Sequence, residues 1–376
     1  MLSFLFSLSV VLFLGLLGSR LAKYWGWPSA LVLWVIGALL GRVSGVGFSA
    51  QIWFVVAIGV LSLAVFDSVS RLHISKGVEE RKMALHFVGY SVLMVGFLAW
   101  GLLAHFAHSL SVLGFVLIFV FLVIGSDRAA LGVNGVWSFL SEEGMWLGSL
   151  TLLIPFIVLG FLERTLVPVG VLGVILPLHP FVHDAIVGIG TGLLLGVIFF
   201  KWIHAWVSSY FTPVWLWTGV LGGFILSEVL GGSGVLAVGT MALLFGHGFV
   251  NGKKELQEFT HSFSEAVEVA VILLSGMVLK ISFSGVLLGE GLFLFAALVL
   301  ARFLAVRSAR LRFSALEKGW LSVFMPKGFY SAAALLGLAV LGPSSLLPWL
   351  QAAWLVMVLC LVLSLGVYQD KKLGRI

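Results

Sequence analysis

Apolar runs of roughly membrane-spanning length, divided by short charged or Gly/Pro-bearing breaks, follow one another along the whole chain. Taken between those breaks, they fall at residues 2–19, 29–46, 51–71, 83–106, 109–135, 143–163, 183–200, 212–226, 232–247, 262–282, 286–306, 320–341 and 347–367. An α-helix needs about 20 apolar residues, at 1.5 Å rise each, to cross roughly 30 Å of hydrocarbon. The pattern therefore predicts an all-α polytopic membrane protein with about 13 transmembrane helices. Two stretches are irregular: the fifth run contains Ser126-Asp127-Arg128, and 212–247 divides at Gly231-Gly232-Ser233-Gly234.

Composition narrows the class further. Of 376 residues, 61% are hydrophobic and 10% charged, with a mean hydropathy of +1.16. A soluble chain carries about 25% charged residues. A soluble enzyme, a nucleic-acid-binding domain and a disordered protein are all excluded, and residues 1–376 read as one membrane domain. The single cysteine, Cys360, allows no intrachain disulfide. Residues 1–19 have no Lys or Arg ahead of their apolar run, and Arg20 and Lys23 follow it, which is the charge order of a retained first span rather than a signal peptide.

The formal charge of +6 then becomes a topology signal. Sixteen of the 22 Lys and Arg residues, from Arg20 and Lys23 through Arg71, Lys201 and Arg307 to Arg375, fall on one side of the predicted spans. Only Arg42, Arg164 and Lys280 fall on the other, and Arg128, Arg302 and Lys327 lie inside spans. Because cytoplasmic loops are enriched in cations, this asymmetry places the N-terminus outside and the C-terminus in the cytoplasm. An odd count also permits six helices, one linker helix and six more, an inverted repeat of the kind many secondary transporters use. Interrupted segments stand at matching positions: Gly125–Ala130 in the fifth span and Pro326–Ala333 in the twelfth.

Charges at membrane depth cost at least about 2.5–3.5 kcal/mol each on insertion scales and need a reason. Asp127 follows the apolar run 112–124 and, with the Ser126 hydroxyl and carbonyls freed at the break, forms a candidate ion- or proton-binding site. A structural pair with Arg128 is the other reading. Lys327, between Pro326 and Gly328, either neutralises converging helix C-termini or competes with a bound cation, or else it snorkels to the cytosolic face. Arg302 either snorkels or pairs with a buried acid, for which Glu142 and Glu143 at the start of the sixth span are candidates. Asp67 and Arg71 form an i,i+4 pair near the end of the third span. Ser262-x-x-Glu265 reads as a capping box, and Glu268 lies one turn further in. His179, His183 and Asp184 have metal-like spacing, but Pro180 interrupts the helix such a site needs. Gly37-x-x-x-Gly41 and Gly41-x-x-x-Gly45 are close-packing signatures. No Walker loop, HExxH or GxSxG is present, so neither ATP-driven transport nor a common hydrolase is indicated. No enzyme activity, cofactor or nucleic-acid partner is expected.

Several segments together resemble the cation:proton antiporter superfamily, the sodium/proton exchangers, over nearly the whole length. Pro28 with Gly37-Ala38-Leu39-Leu40-Gly41 resembles the family's second-helix pattern. Ser126-Asp127 before Ala129-Ala130 is similar to its Thr-Asp-Pro motif, and Gly232–Val238 to its second-half Gly-x-Leu-Ala segment. Ala301–Val306 resembles the eleventh-helix basic motif, and Glu317-Lys318 through Pro326-Lys327-Gly328 the Glu-Lys … Pro-Arg-Gly motif. The resemblance implies a homodimer in the plasma membrane. In it, a core bundle (83–163 and 286–367) moves against a dimerisation bundle (1–82 and 183–285). Sodium or another monovalent cation and protons would alternate at Asp127 and Ser126, with no metal beyond the transported ion. Glu143 and Arg302 would pair, with Lys327 compensating charge at the break. One departure is large: aligned on Glu143, Leu147 and Gly148 stand where the family's sixth helix has Asn-Asp, so the chain reads as a divergent member. An exchanger reduced to Asp127 with Glu143, a transporter of another solute and a transport-inactive or regulatory membrane protein all follow from that departure.

Overall fold

A computed structural model describes residues 2–42, 49–72, 84–93, 96, 110–124, 136–165, 178–206, 212–247, 253–281, 284–308 and 313–372. Fourteen α-helices run through them in chain order. They are α1 Leu2–Trp25, α2 Ser29–Leu40, α3 Ala50–Ser70, α4 Ala84–Leu93, α5 Leu110–Ile124, α6 Val136–Thr165 and α7 Leu178–Trp206. They continue with α8 Thr212–Val229, α9 Gly234–His247, α10 Lys253–Val278, α11 Gly285–Ser308, α12 Ala315–Val323, α13 Phe329–Leu341 and α14 Leu347–Lys372. No strand occurs among the described residues. Stretches within α3, α6, α7 and α11, and a fifth over Ser344–Leu365, are each long and apolar enough to cross a membrane. With the shorter apolar helices, they have the build of an all-α multi-pass membrane protein.

Where helix ends differ from the apolar runs, charge is the reason. The sixth apolar run starts at Glu143, yet α6 begins at Val136 and passes through Glu142 and Glu143 without interruption. Glu143 is buried against a cation and so does not need the aqueous boundary that its charge suggested. The tenth apolar run starts at 262, but α10 begins at Lys253 because its first turns are polar and still helix-forming. Pro180, expected to interrupt a helix, sits in the first turn of α7, where its missing N–H has no carbonyl to lose. The twelfth run divides into α12 and α13.

Alternate helix ends gather at two ends of the bundle. The start of α3, the C-terminal part of α6, the starts of α7 and α9 and the ends of α8 and α13 share one end, around a common cavity. The ends of α3 and α9 meet at the other, where Gly246 lies against the Ser70 carbonyl. Between them α2 packs along α10 and α3 along α9. The innermost helix is α13: Phe329 to Leu338 are all buried, and it touches α3, α5, α6, α10 and α14. In contrast, α7 exposes Ile186, Ile189, Leu193, Leu194, Val197 and Ile198, a surface suited to hydrocarbon.

The end of α10 shows how carbonyls are satisfied away from water. Arg42 donates through Nε and Nη2 to the Ile281 carbonyl (2.9 and 2.6 Å), and Gln351 Nε2 donates to the Leu279 carbonyl (3.0 Å). The chain turns there through Lys280 at φ +45°, a conformation that a side chain disfavours and glycine accepts. Lys280→Gly is expected to raise stability by up to about 1 kcal/mol. An unchanged or lower thermal midpoint in detergent would contradict this.

Candidate functional site: a helix break held by buried cations

The break between α12 and α13 follows from three residues. Ser314 and Glu317 start α12 with a reciprocal capping box. Pro326 disfavours helical backbone at Met325 and supplies no N–H, so residues 324–328 run extended until α13 begins at Phe329. Ending a helix inside the protein strands the last carbonyls of α12, which need donors.

Arg302 of α11 supplies them. Its Nε donates to the Leu321 carbonyl (2.8 Å) and its Nη2 to the Phe324 carbonyl (3.2 Å). The same guanidinium meets both carboxylate oxygens of Glu143, Nη1 to Oε1 at 2.7 Å and Nη2 to Oε2 at 3.1 Å, with Arg302 5% and Glu143 0% exposed. The Phe87 ring of α4 covers the guanidinium, its centroid 5.5 Å from Cζ. Four elements are thus joined at one cation: α4, α6, α11 and the end of α12. A guanidinium suits the task because it presents several donors in a fixed plane and stays charged when buried.

Lys327 plays the corresponding part for α5. Its side chain is 4% exposed, and Nζ donates to the Val123 carbonyl (2.6 Å) in the last described turn of that helix. It is turned inward, not toward an aqueous face. On the other side of the extended segment, the Met325 N–H donates to Ser364 Oγ (3.3 Å), which itself donates to the Cys360 carbonyl (2.8 Å). Arg302 therefore stands at the C-terminus of α12, where the backbone dipole leaves partial negative charge, and Lys327 at the last described turn of α5.

The structure brings Glu143 and Arg302 together and sets Lys327 against the end of α5. Asp127 and Ser126, as well as Arg128, belong to residues 125–135, outside the described residues. Asp67 makes the helix-end pair with Arg71 that its spacing predicts, and it has a further partner besides. It is 1% exposed; Arg71 donates to Oδ1 through Nε (2.9 Å) and Nη2 (2.7 Å), and Tyr330 Oη donates to Oδ2 (2.7 Å). Sequence reasoning missed Tyr330 because nothing local connects it to a residue 263 positions earlier. Of the other candidates, Glu268 is half-buried in α10, and no cluster of three metal-ligand side chains occurs among the described residues.

A cavity of about 480 Å³ lies at the bundle end away from Ser70 and Gly246, between α3, α6, α7, α8, α9 and α13. Its wall is mostly apolar, with Asp184 and Glu228 contributing carboxylates. Glu228 Oε1 accepts from the Gly234 N–H (2.8 Å) at the start of α9, and the Ser233 N–H donates to the Asp184 carbonyl (3.1 Å).

No protein-family model matches the chain, and no curated protein matches it in sequence. Among solved structures, the sodium proton antiporter MjNhaP1 from Methanocaldococcus jannaschii, determined at pH 8, is similar. The two are 18% identical, with a TM-score of 0.68, over 98% of this chain and 99% of that one. The two chains share a fold from end to end.

Proposed function

We propose that the chain is a secondary-active antiporter exchanging a monovalent cation, sodium in the first instance, for protons by alternating access. The observation that carries this reading is the whole-length fold shared with a sodium proton antiporter. The buried ion network at the helix break supports it, since charges so costly to bury are placed where carbonyls are freed. Asp127 and Ser126 are the proposed ion and proton ligands, four and three residues beyond the carbonyl that Lys327 holds. Glu143, Arg302 and Lys327 compensate charge and keep the break open. The cation is substrate and not a resident cofactor.

Thirteen spans in a 6+1+6 inverted repeat complete the proposal, with the N-terminus outside the plasma membrane and the C-terminus in the cytoplasm. Supporting the repeat, the pair α2 with α10 and the pair α3 with α9 are those that such a symmetry exchanges, as are α6 with α13 and α5 with α14. The core bundle comprises 83–163 and 286–367, moving against 1–82 and 183–285, the latter forming a homodimer.

A second reading has its own observation. Leu147, at the place of the family's ion-binding Asn-Asp, is 1% exposed in an apolar cluster with Val88, Val116, Val120 and Ile124. An apolar wall there favours a transport-inactive or regulatory protein, or a carrier of another solute. Liposomes holding the purified chain and a pH probe separate these readings. Addition of Na⁺, Li⁺ or K⁺ between acidic and alkaline pH is expected to move protons, and Asp127→Asn to reduce that flux to background. Absence of cation-dependent flux at every pH sinks antiport, whereas flux retained by Asp127→Asn moves the site elsewhere.

A further inference from the structure

Asp67 and Tyr330 take no part in the ion site described above, yet they join α13 to α3 through a buried, charge-assisted hydrogen bond. We propose that Asp67 is a positioning residue which, through Tyr330, latches the start of α13 to α3 and so sets how readily the broken helix shifts against that neighbour. Its use in transport rests on the alternating-access reading; its structural test does not.

The position of Tyr330 comes first. It is the second residue of α13, three beyond Lys327, so a movement of the break carries its hydroxyl along. The bond itself is short and dry: 2.7 Å, between groups 1% and 6% exposed. In such surroundings a hydrogen bond to a carboxylate is stronger than an average one.

The rest of the α3/α13 contact is built to slide. The two helices pack antiparallel, since a Cβ on Gly337 would stand 3.6 Å from Leu61 while Tyr330 meets Asp67 further along. Between these points the helical repeat puts Ala333 and Ala334 on the same face of α13 as Tyr330 and Gly337, small side chains with no polar atoms to hold a register. Beyond Gly337 the contact opens on the cavity, where Phe54 and Ile58 of α3 and Leu341 of α13 form part of the wall. The interface is therefore pinned by a polar bond at the Tyr330 end.

Release of the pin is also inexpensive in charge. Arg71 occupies Oδ1, leaving Oδ2 to Tyr330, so the carboxylate keeps a cationic partner when the tyrosine departs. Next to the two members stand Ser68 and Ser331, buried hydroxyls with no hydrogen-bond partner among the described residues. Most other buried helical hydroxyls here, such as Ser149, Thr151, Ser322 and Ser364, bond back to the preceding turn. Two unsatisfied hydroxyls beside a releasable bond provide partners for a second arrangement, the property a two-state element requires.

The test reads the position of α13 directly. With the buried Cys360 replaced by Ser, a cysteine at Leu341 reports on the cavity end of α13, and one at exposed Val182 on α7 serves as control. Each is labelled with a small water-soluble maleimide in the purified full-length protein. Tyr330→Phe is expected to change the Leu341→Cys labelling rate by about three-fold or more, in proportion to the net worth of one hydrogen bond. The Val182→Cys rate stays constant, and the thermal midpoint moves by no more than about 2 °C. Asp67→Ala shifts the rate in the same direction, Asp67→Asn, which keeps an acceptor oxygen, shifts it less, and adding Tyr330→Phe to Asp67→Ala changes nothing further. Equal labelling in Tyr330→Phe and its parent overturns the latch, as do effects of the two substitutions that multiply independently. Should the parent protein show no ion exchange in liposomes, the antiport reading falls while the labelling result stands.

Discussion

Glu143→Ala is expected to destabilise the protein by about 3–5 kcal/mol, the cost of leaving a buried charge without its partner. Both carboxylate oxygens are engaged by Arg302, and neither residue has access to water that could take over. Arg302→Ala acts differently: it leaves Glu143 without its partner and also strips donors from the Leu321 and Phe324 carbonyls. Combined, the two changes should cost clearly less than their sum, with a coupling of about 0.5–3 kcal/mol. The measurement is thermal or denaturant unfolding in detergent, followed by the fluorescence of the 14 tryptophans. Strict additivity would mean that the pair does not interact. An apolar swap, Glu143→Leu with Arg302→Met, sharpens the point. In many proteins such a swap for a buried ion pair is close to neutral. It should remain destabilising here, because the guanidinium also serves carbonyls that the swap leaves without a donor.

The parts of this arrangement differed in how visible they were in the sequence. Apolar run length marks most helices, because a chain in hydrocarbon must satisfy its backbone internally and helices do so within one segment. Pro326 and Gly328 mark the break for local steric reasons. Charge was the misleading signal. It set a boundary at Glu143, where the helix continues because its counter-ion arrives from a residue 159 positions away. The cost of burying Arg302 makes Glu142 and Glu143 candidate partners and the family resemblance favours Glu143, although no spacing rule joins two residues so far apart. The inward turn of Lys327 remained one of two open readings, because a lysine stem is long enough to reach either a carbonyl or an interface. Asp67 looked ordinary, for its i,i+4 partner accounts fully for one charge. Its second partner, Tyr330, depends on how α3 and α13 cross, and that is a property of the whole packing.

The Gly37-x-x-x-Gly41 pattern shows the opposite case, a local signal with a specific packing outcome, and Gly37→Val is the other large effect expected. In α2, Gly37 lies over the backbone carbonyl of Leu273 and Gly41 over that of Met277, one turn further along α10. A Cβ at either position would overlap main-chain atoms, which cannot rotate aside as a side-chain tip can. The closeness is reciprocal: a Cβ on Gly276 would stand 2.8 Å from the Trp34 carbonyl oxygen, and Trp34 Nε1 donates to Ser275 Oγ at 2.7 Å across the same seam. Separating the helices to admit valine would therefore sacrifice that bond as well as the close contact. The expected loss is about 3 kcal/mol, the upper part of the range for overpacked interiors, visible as a lower unfolding midpoint. Gly59→Ala in α3 provides the contrast, since a Cβ there meets nothing within 4 Å. It should raise stability by up to about 1 kcal/mol through helix propensity alone. Opposite signs at Gly37 and Gly59 would show that the glycine in α2 serves close approach. A neutral Gly37→Val would instead mean that α2 and α10 are not pressed backbone to backbone as these contacts require.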